Sequence, residues 1–204
     1  MAIGYAGQDD NRSVIRTFIA IELDANVKAE LEKLQRRMRA EPISGVVRWV
    51  ASGSIHLTLK FLGDMEPERT PHVLAAMKAA CNGVAPFDLT VRGAGCFPNF
   101  QRPNVIWAGL IGQVQVATLL AQRIENECAR LGFDPDDRPF SPHLTLGRIG
   151  REVDYNQRRQ VGEMVRRMDL NLNGVIHADL VRLIQSELRP LGSLYTPLGQ
   201  VRLE

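Results

Sequence analysis

Two short stretches of the chain carry the same four letters, HLTL at 56–59 and HLTL at 143–146. Each sits in an apolar, β-forming run, SIHLTLKFLG and SPHLTLGRIG. On a strand, successive side chains point to opposite faces, so residues two apart share a face. His56 and Thr58 therefore emerge together while Leu57 and Leu59 enter the core, and His143 with Thr145 does the same against Leu144 and Leu146. A lone strand histidine is usually a satisfied core or edge residue, and one such motif would mean little. Two copies that use two of only four histidines are not explained that way. The others, His72 early in a helical stretch and His177 near a strand end, read as surface or capping residues.

If the two strands are neighbours, or face each other across a cleft, two imidazole–hydroxyl pairs converge on a rigid support. Two histidines and two threonines without Asp, Glu or Cys partners make a poor metal set, so neither metal nor cofactor is expected. The acidic run Asp134, Asp136 and Asp137 fits no EF-hand loop and reads as a solvated turn. No G-x-S-x-G elbow marks a serine hydrolase. Paired imidazoles suit concerted acid–base chemistry near neutral pH, one taking a proton from water and the other giving one to a departing oxygen. Each role contributes about 3–5 kcal/mol of barrier, enough for an activated substrate such as a strained five-membered cyclic phosphate. Thr58 and Thr145 can hold its non-bridging oxygens, and Arg148 can neutralise charge developing on phosphorus.

The elements that must position these groups follow from periodicity. RTFIAIEL (16–23) reads as a strand, and the stretch from Asp24 as a helix with Val27, Leu31, Leu34 and Met38 on one stripe and Asp24 as N-cap. VVRWV and SIHLTLKFLG follow as strands, then a helix at about 67–81. FDLTVRGAGCF is a strand bent at Gly93 and Gly95, NVIWAGL a strand, and VQVATLLAQRIENECARLG a helix closed by Gly132. The loop DPDDRPFSP feeds HLTLGRI. A helix at about 154–168 precedes strands near 171–177 and 179–188 and a short last strand near 200–203. Helices segregated from many short strands indicate an α+β fold with largely antiparallel sheet.

A length of 204 residues suits one domain, or one domain of two lobes. No apolar run approaches a membrane span, and the opening MAIGYAGQDDNRS reads as a loose tail rather than a secretion signal. We therefore expect residues 1–13 to be a flexible tail and 14–204 a single domain. Cys81, Cys96 and Cys128 are odd in number and widely spaced, which argues for reduced thiols in a cytoplasmic protein. The net charge of +2 excludes a histone-like nucleic-acid coater. Only Lys28, Lys33, Lys60 and Lys78 are lysines; arginine-rich codon usage accounts for the bulk of that bias.

The paired HxTx motifs resemble those of the 2H phosphoesterase superfamily, and within it the RNA 2′,3′-cyclic phosphodiesterase branch, also called the 2′-5′ RNA ligase family. The likeness runs nearly the whole chain. It takes in the opening strand RTFIAIEL, the first motif RWVASGSIHLTLKFLGDM and the middle strands FDLTVRGAGCFPNFQRPNVIWAGL. The second motif LGFDPDDRPFSPHLTLGRI and the closing SELRPLGSLYTPLGQVRL complete it. The resemblance implies two pseudo-symmetric lobes, each an antiparallel sheet backed by helices, around a central cleft. It implies metal-independent hydrolysis of RNA 2′,3′-cyclic phosphate ends to 2′-phosphate ends, with 2′-5′ ligation as the reverse chemistry. On that pattern His56 donates a proton to the leaving oxygen, His143 activates water, and Thr58, Thr145 and Arg148 bind phosphate.

Phe61, Phe97, Phe100, Phe140 and Tyr195 lie near the motifs, and RNA ends are held by aromatic stacking and arginine contacts. Phe140 and Tyr195 are base-binding candidates; Phe61 and Phe97 are expected in the core, and Arg102 in the loop PNFQRPN has no expected role. The expected partners are RNA 3′ ends, or nucleotides, bearing a 2′,3′-cyclic phosphate, with no membrane and a monomeric state. Two alternatives stand beside this. The site could take a small cyclic phosphate such as an ADP-ribose or nucleotide cyclic phosphate, or the strands could hold an RNA end without turnover.

Overall fold

The structure is a computed structural model that describes residues 13–168, 171–189 and 192–204. The expected N-terminal tail, Ser13 apart, lies outside the described residues. The strands are β1 (Ile15–Glu22), β2 (Val47–Trp49), β3 (His56–Met65), β4 (Phe87–Phe97) and β5 (Val105–Gly112). They continue as β6 (His143–Ile149), β7 (Asn171–Ala178), β8 (Leu180–Arg189) and β9 (Gly192–Arg202). The helices are α1 (Ala25–Arg39), α2 (Thr70–Cys81), α3 (Val114–Arg130) and α4 (Tyr155–Arg167).

Among the described residues the strands join in the order β7-β4-β5-β6-β3-β1-β8-β9, with β2 paired to β6. Every pairing is antiparallel, and the ladder is thinnest at its middle, where Leu57 opposite Leu144 alone registers β3 against β6. That seam divides the sheet into two lobes of four main strands, β9-β8-β1-β3 and β6-β5-β4-β7. The helices cross over between them. α2 and α3 pack together behind β9 and β3, whereas α1 and α4 pack behind β7 and β4.

Local chemistry explains most element boundaries. The Asp24 carboxylate accepts from the Val27 N–H and starts α1, whose stripe Val27, Leu31, Leu34 and Met38 is buried as expected. Asp154 and Gln157 form a reciprocal capping box at the start of α4. Gly132 ends the turn after α3 with φ of +83°, and Gly93 marks the bend in β4 with φ of +75°. β9 is a correction: it runs eleven residues, not four, because it hairpins along the whole of β8 from Leu180–Arg202 to Arg189–Gly192. Pro197 and Gly199 interrupt its alternation and hide it from a periodicity reading.

Candidate active site

Leu57 faces Leu144 in an antiparallel pair, so one step along each strand sets His56 level with Thr145 and Thr58 level with His143. The four polar residues stand on one face of the sheet as a square with pseudo-two-fold symmetry. The histidines occupy opposite corners, as diagonal neighbours that in such a ladder stand about 7–8 Å apart, with β-carbons somewhat closer. All four line one cleft of about 920 Å³, and the leucines between them are fully buried on the other face.

The two imidazoles are anchored in the same way. His56 Nδ1 lies 2.9 Å from the Ser54 carbonyl oxygen, and His143 Nδ1 lies 2.7 Å from that of Ser141. A carbonyl only accepts, so each Nδ1 carries hydrogen and each Nε2 is the atom available for proton transfer. Burial lowers the pKa of both rings. For His56, the Ser54 bond and the Glu22 carboxylate oppose that shift, while Lys28 and Arg148 add to it. His143 feels only the Ser141 bond against burial and Arg148. The ring of Phe18 stacks on His56 at 4.5 Å and Tyr195 meets it edge-on at 5.3 Å; Phe97 meets His143 edge-on at 5.0 Å.

Arg148 reaches the cleft for a reason that simple alternation does not supply. It stands five residues from His143, an odd offset that should point it into the core. The β5–β6 register jumps between Ile106 and Trp107, which leaves Leu146 as an extra residue. The β1–β3 register jumps between Ile19 and Ala20 and leaves Leu59 as its counterpart. The last leucine of each HLTL is therefore a bulge. Beyond it the faces exchange: Lys60 and Gly147 turn to the interior, and Phe61 and Arg148 turn to the cleft.

A family model described as "LigT like Phosphoesterase" matches residues 21–107 and 112–195, which is most of the chain. The chain belongs to the LigT-like phosphoesterase family. An RNA 2′,3′-cyclic phosphodiesterase of Methanothermobacter thermautotrophicus is 29% identical over 189 residues, 93% of this chain and 99% of the relative. Another, of Thermus thermophilus, is 32% identical over 198 residues, 93% of this chain and 90% of the relative. Among solved structures, TT0787 of Thermus thermophilus superposes with a TM-score of 0.75 at 29% identity, covering 93% of this chain and 98% of that one. E. coli LigT complexed with 3′-AMP gives 0.75 at 25% identity, covering 94% and 99%. These likenesses agree with the α+β architecture of two antiparallel lobes.

In this LigT-like phosphoesterase the cleft gathers His56, Thr58, His143, Thr145, Arg148 and Tyr195. Phe140 is not among its walls. The ring is half-buried and packs against the main core, where it anchors the loop ahead of β6. Phe61, expected in the core, is instead 54% exposed on the cleft face because of the bulge at Leu59. Arg102 lies over the Tyr155 ring, away from the cleft. His72 is exposed, and His177 pairs with Asp88. Among the described residues no three His, Cys, Asp or Glu side chains gather as a metal-binding set. The three cysteines are free and buried, with thiols pushed up to about 11, 12 and 11 for Cys81, Cys96 and Cys128. Among the described residues no helix is long and apolar enough to cross a membrane.

Four contributing residues, Ser54, Ser141, Gln35 and Lys60, are not legible in the sequence. The Ser54 and Ser141 carbonyls act through backbone, and the shared spacing S-x-H-L-T was their only trace. Gln35, 1% exposed, donates from Nε2 to the Val50 and Leu146 carbonyls at 2.7 and 2.9 Å and so pins α1 to the cleft floor. Lys60 is fully buried, a state that lysine rarely takes unless paired. It bonds Glu125 at 2.9 Å and the Asp134 carbonyl at 2.8 Å, and Asp136 stands 3.6 Å away. The acidic run is thus not a purely solvated turn but a loop tied to β3.

Proposed function

We propose that this cleft hydrolyses RNA 2′,3′-cyclic phosphate ends to 2′-phosphate ends without a metal, using His56 and His143 as the acid–base pair. The reading is carried by two Nδ1-anchored imidazoles whose Nε2 atoms serve one cleft from opposite corners. The names of the relatives and the 3′-AMP complex of LigT support the substrate class.

Thr58, Thr145 and Arg148 hold the non-bridging oxygens of the cyclic phosphate. Water attacks phosphorus opposite O3′, and His143 Nε2 takes its proton as the new P–O bond forms. The P–O3′ bond breaks, and the proton on His56 Nε2 goes to O3′, leaving a 3′-hydroxyl and a 2′-phosphate. With a 5′-hydroxyl in place of water, the same step joins RNA ends 2′-5′. Phe61 and Tyr195, on the β1–β3–β9 side, offer the apolar surface for the terminal base.

The test is hydrolysis of a cyclic-phosphate-ended oligoribonucleotide in excess EDTA, with the product end identified. Turnover to a 2′-phosphate, nearly lost in His56→Ala and His143→Ala, is expected. A 3′-phosphate product, or full activity in His143→Ala, would overturn the assignment.

A further inference from the structure

We propose that Arg36 and Arg39, on the α1 rim of the same cleft, form a second anionic subsite for the phosphodiester on the 5′ side of the terminal nucleotide. The enzyme then prefers a cyclic-ended RNA chain to a cyclic mononucleoside phosphate; the inference rests on the cyclic-phosphodiesterase reading above.

Charge counting points there first. Among the described residues the cleft is lined by Arg16, Arg36, Arg39 and Arg148 against one carboxylate, Glu32. That leaves a net three positive charges facing a reacting group that carries one negative charge. A mononucleoside cyclic phosphate leaves the rest unmatched, whereas an RNA chain brings a further phosphate with each nucleotide.

Placement is the second argument. Arg36 and Arg39 stand three apart on α1 and so share a face. The buried Gln35 beside them clamps that turn of the helix to the Val50 and Leu146 carbonyls. Leu146 is the bulged residue of the second motif, so the two arginines are held at a fixed offset from His143 and Arg148. Basic residues also suit the C-terminal turn of any helix, and Arg37 in the same turn is accounted for in that way. The macrodipole does not require them to face the cleft, as Arg36 and Arg39 do. The Arg39 guanidinium lies 5.7 Å from the centre of the Trp49 ring, which steers it toward the rim. Arg36 has a contact at 3.9 Å with Glu32, both side chains more than half exposed, too loose and too well solvated to hold it from a phosphate.

The experiment compares the wild type with Arg36→Gln/Arg39→Gln on three substrates. They are a cyclic-phosphate-ended tetraribonucleotide, a nucleoside 2′,3′-cyclic phosphate, and that nucleoside carrying an added 5′-phosphate. The oligonucleotide should lose about tenfold or more in kcat/KM, mostly through KM, while the mononucleoside stays within about twofold. The 5′-phosphorylated nucleoside should fall between them. The slope of log kcat/KM against log salt for the oligonucleotide should become shallower by about 0.7 for each phosphate that the variant no longer neutralises. Equal losses on all three substrates, or none on the oligonucleotide, would overturn the subsite. A wild type that turns over none of the three would instead sink the phosphodiesterase reading beneath it. Melting of the variant at the wild-type temperature checks that the exposed substitutions leave the fold intact.

Discussion

Replacing Lys60 with methionine removes a charge from the interior and keeps most of the stem that fills its place. The ammonium has no solvent exposure and serves Glu125 on α3, the Asp134 carbonyl and, more distantly, Asp136. Losing one partner of a buried pair costs about 3–5 kcal/mol, because the other is left charged and uncompensated. Here the Glu125 side chain is 25% exposed and Asp136 50% exposed, so water screens part of that loss. A destabilisation of about 2–3 kcal/mol follows. In a domain of this size each kcal/mol lowers Tm by about 2–4 °C, so the transition should fall by about 5–10 °C. Urea melts followed by fluorescence and circular dichroism measure the change. Glu125→Gln added to Lys60→Met should restore part of it, since the stranded carboxylate is then neutral. Activity should fall as well, because the released loop carries Ser141, whose carbonyl orients His143. A loss below about 1 kcal/mol, or no recovery in the double variant, would show that the pair contributes nothing net to this fold.

Three further outcomes bear on the site. His143→Asn keeps a donor for the Ser141 carbonyl but nothing at Nε2, so kcat should drop about 10²–10⁴-fold with Tm within a few degrees of wild type; retained turnover would exclude the proton-acceptor role. The pH profile of kcat/KM should be a bell, because turnover needs one ring charged and one neutral. Burial lowers both rings from 6.5, so the charged form is lost on raising pH before that value is reached and the maximum lies on its acid side. An anionic substrate favours protonation of both rings, so the kcat profile should sit at higher pH; a flat profile, or a kcat/KM maximum on the alkaline side of 6.5, would refute this. Phe61→Ala should raise KM for cyclic-ended RNA by the roughly 1–3 kcal/mol that one base stack supplies, with Tm unchanged at this exposed position; an unchanged KM would remove Phe61 from the base site.

What the sequence disclosed was whatever side-chain type and period can carry. The repeated HLTL placed two histidines and two threonines on one face, and Asp24 announced the start of α1. Both held because alternation and capping are local. The exchange of faces after Leu59 and Leu146 was not legible, since LKFL and LGRI continue as ordinary strand text. Only the partner strand's register reveals the extra residue. Charge alone singles out Arg148 in the sequence, without the bulge that delivers it, and strict alternation places Phe61 in the core for want of the same bulge. Phe140 shows the opposite limit: nearness in sequence to His143 placed it at the site, and packing against the core took it away. In the sequence Lys60 has no special place among the four lysines, because its acceptors come from α3 and a loop more than sixty residues downstream.

The two motifs share one frame and then differ where difference is useful. Position by position His56, Thr58 and the bulged Leu59 match His143, Thr145 and Leu146. At the next position one strand has Lys60, which ties down the loop before β6, and the other has Gly147. A side chain there is excluded, since even a β-carbon at Gly147 would lie 2.6 Å from Val47 Cγ1 where β2 crosses. One residue further, the same geometry presents Phe61 from one lobe and Arg148 from the other. On the proposed mechanism, the reacting phosphorus needs matched groups on either side, and the symmetric part of the frame supplies them. A nucleotide is not symmetric about that phosphorus. An aromatic ring on the β3 side suits its base, and the arginines of the β6 and α1 side suit its phosphates. Exchanging the two, Phe61→Arg with Arg148→Phe, should therefore abolish turnover while both histidines remain anchored, a result that a symmetric site would not give.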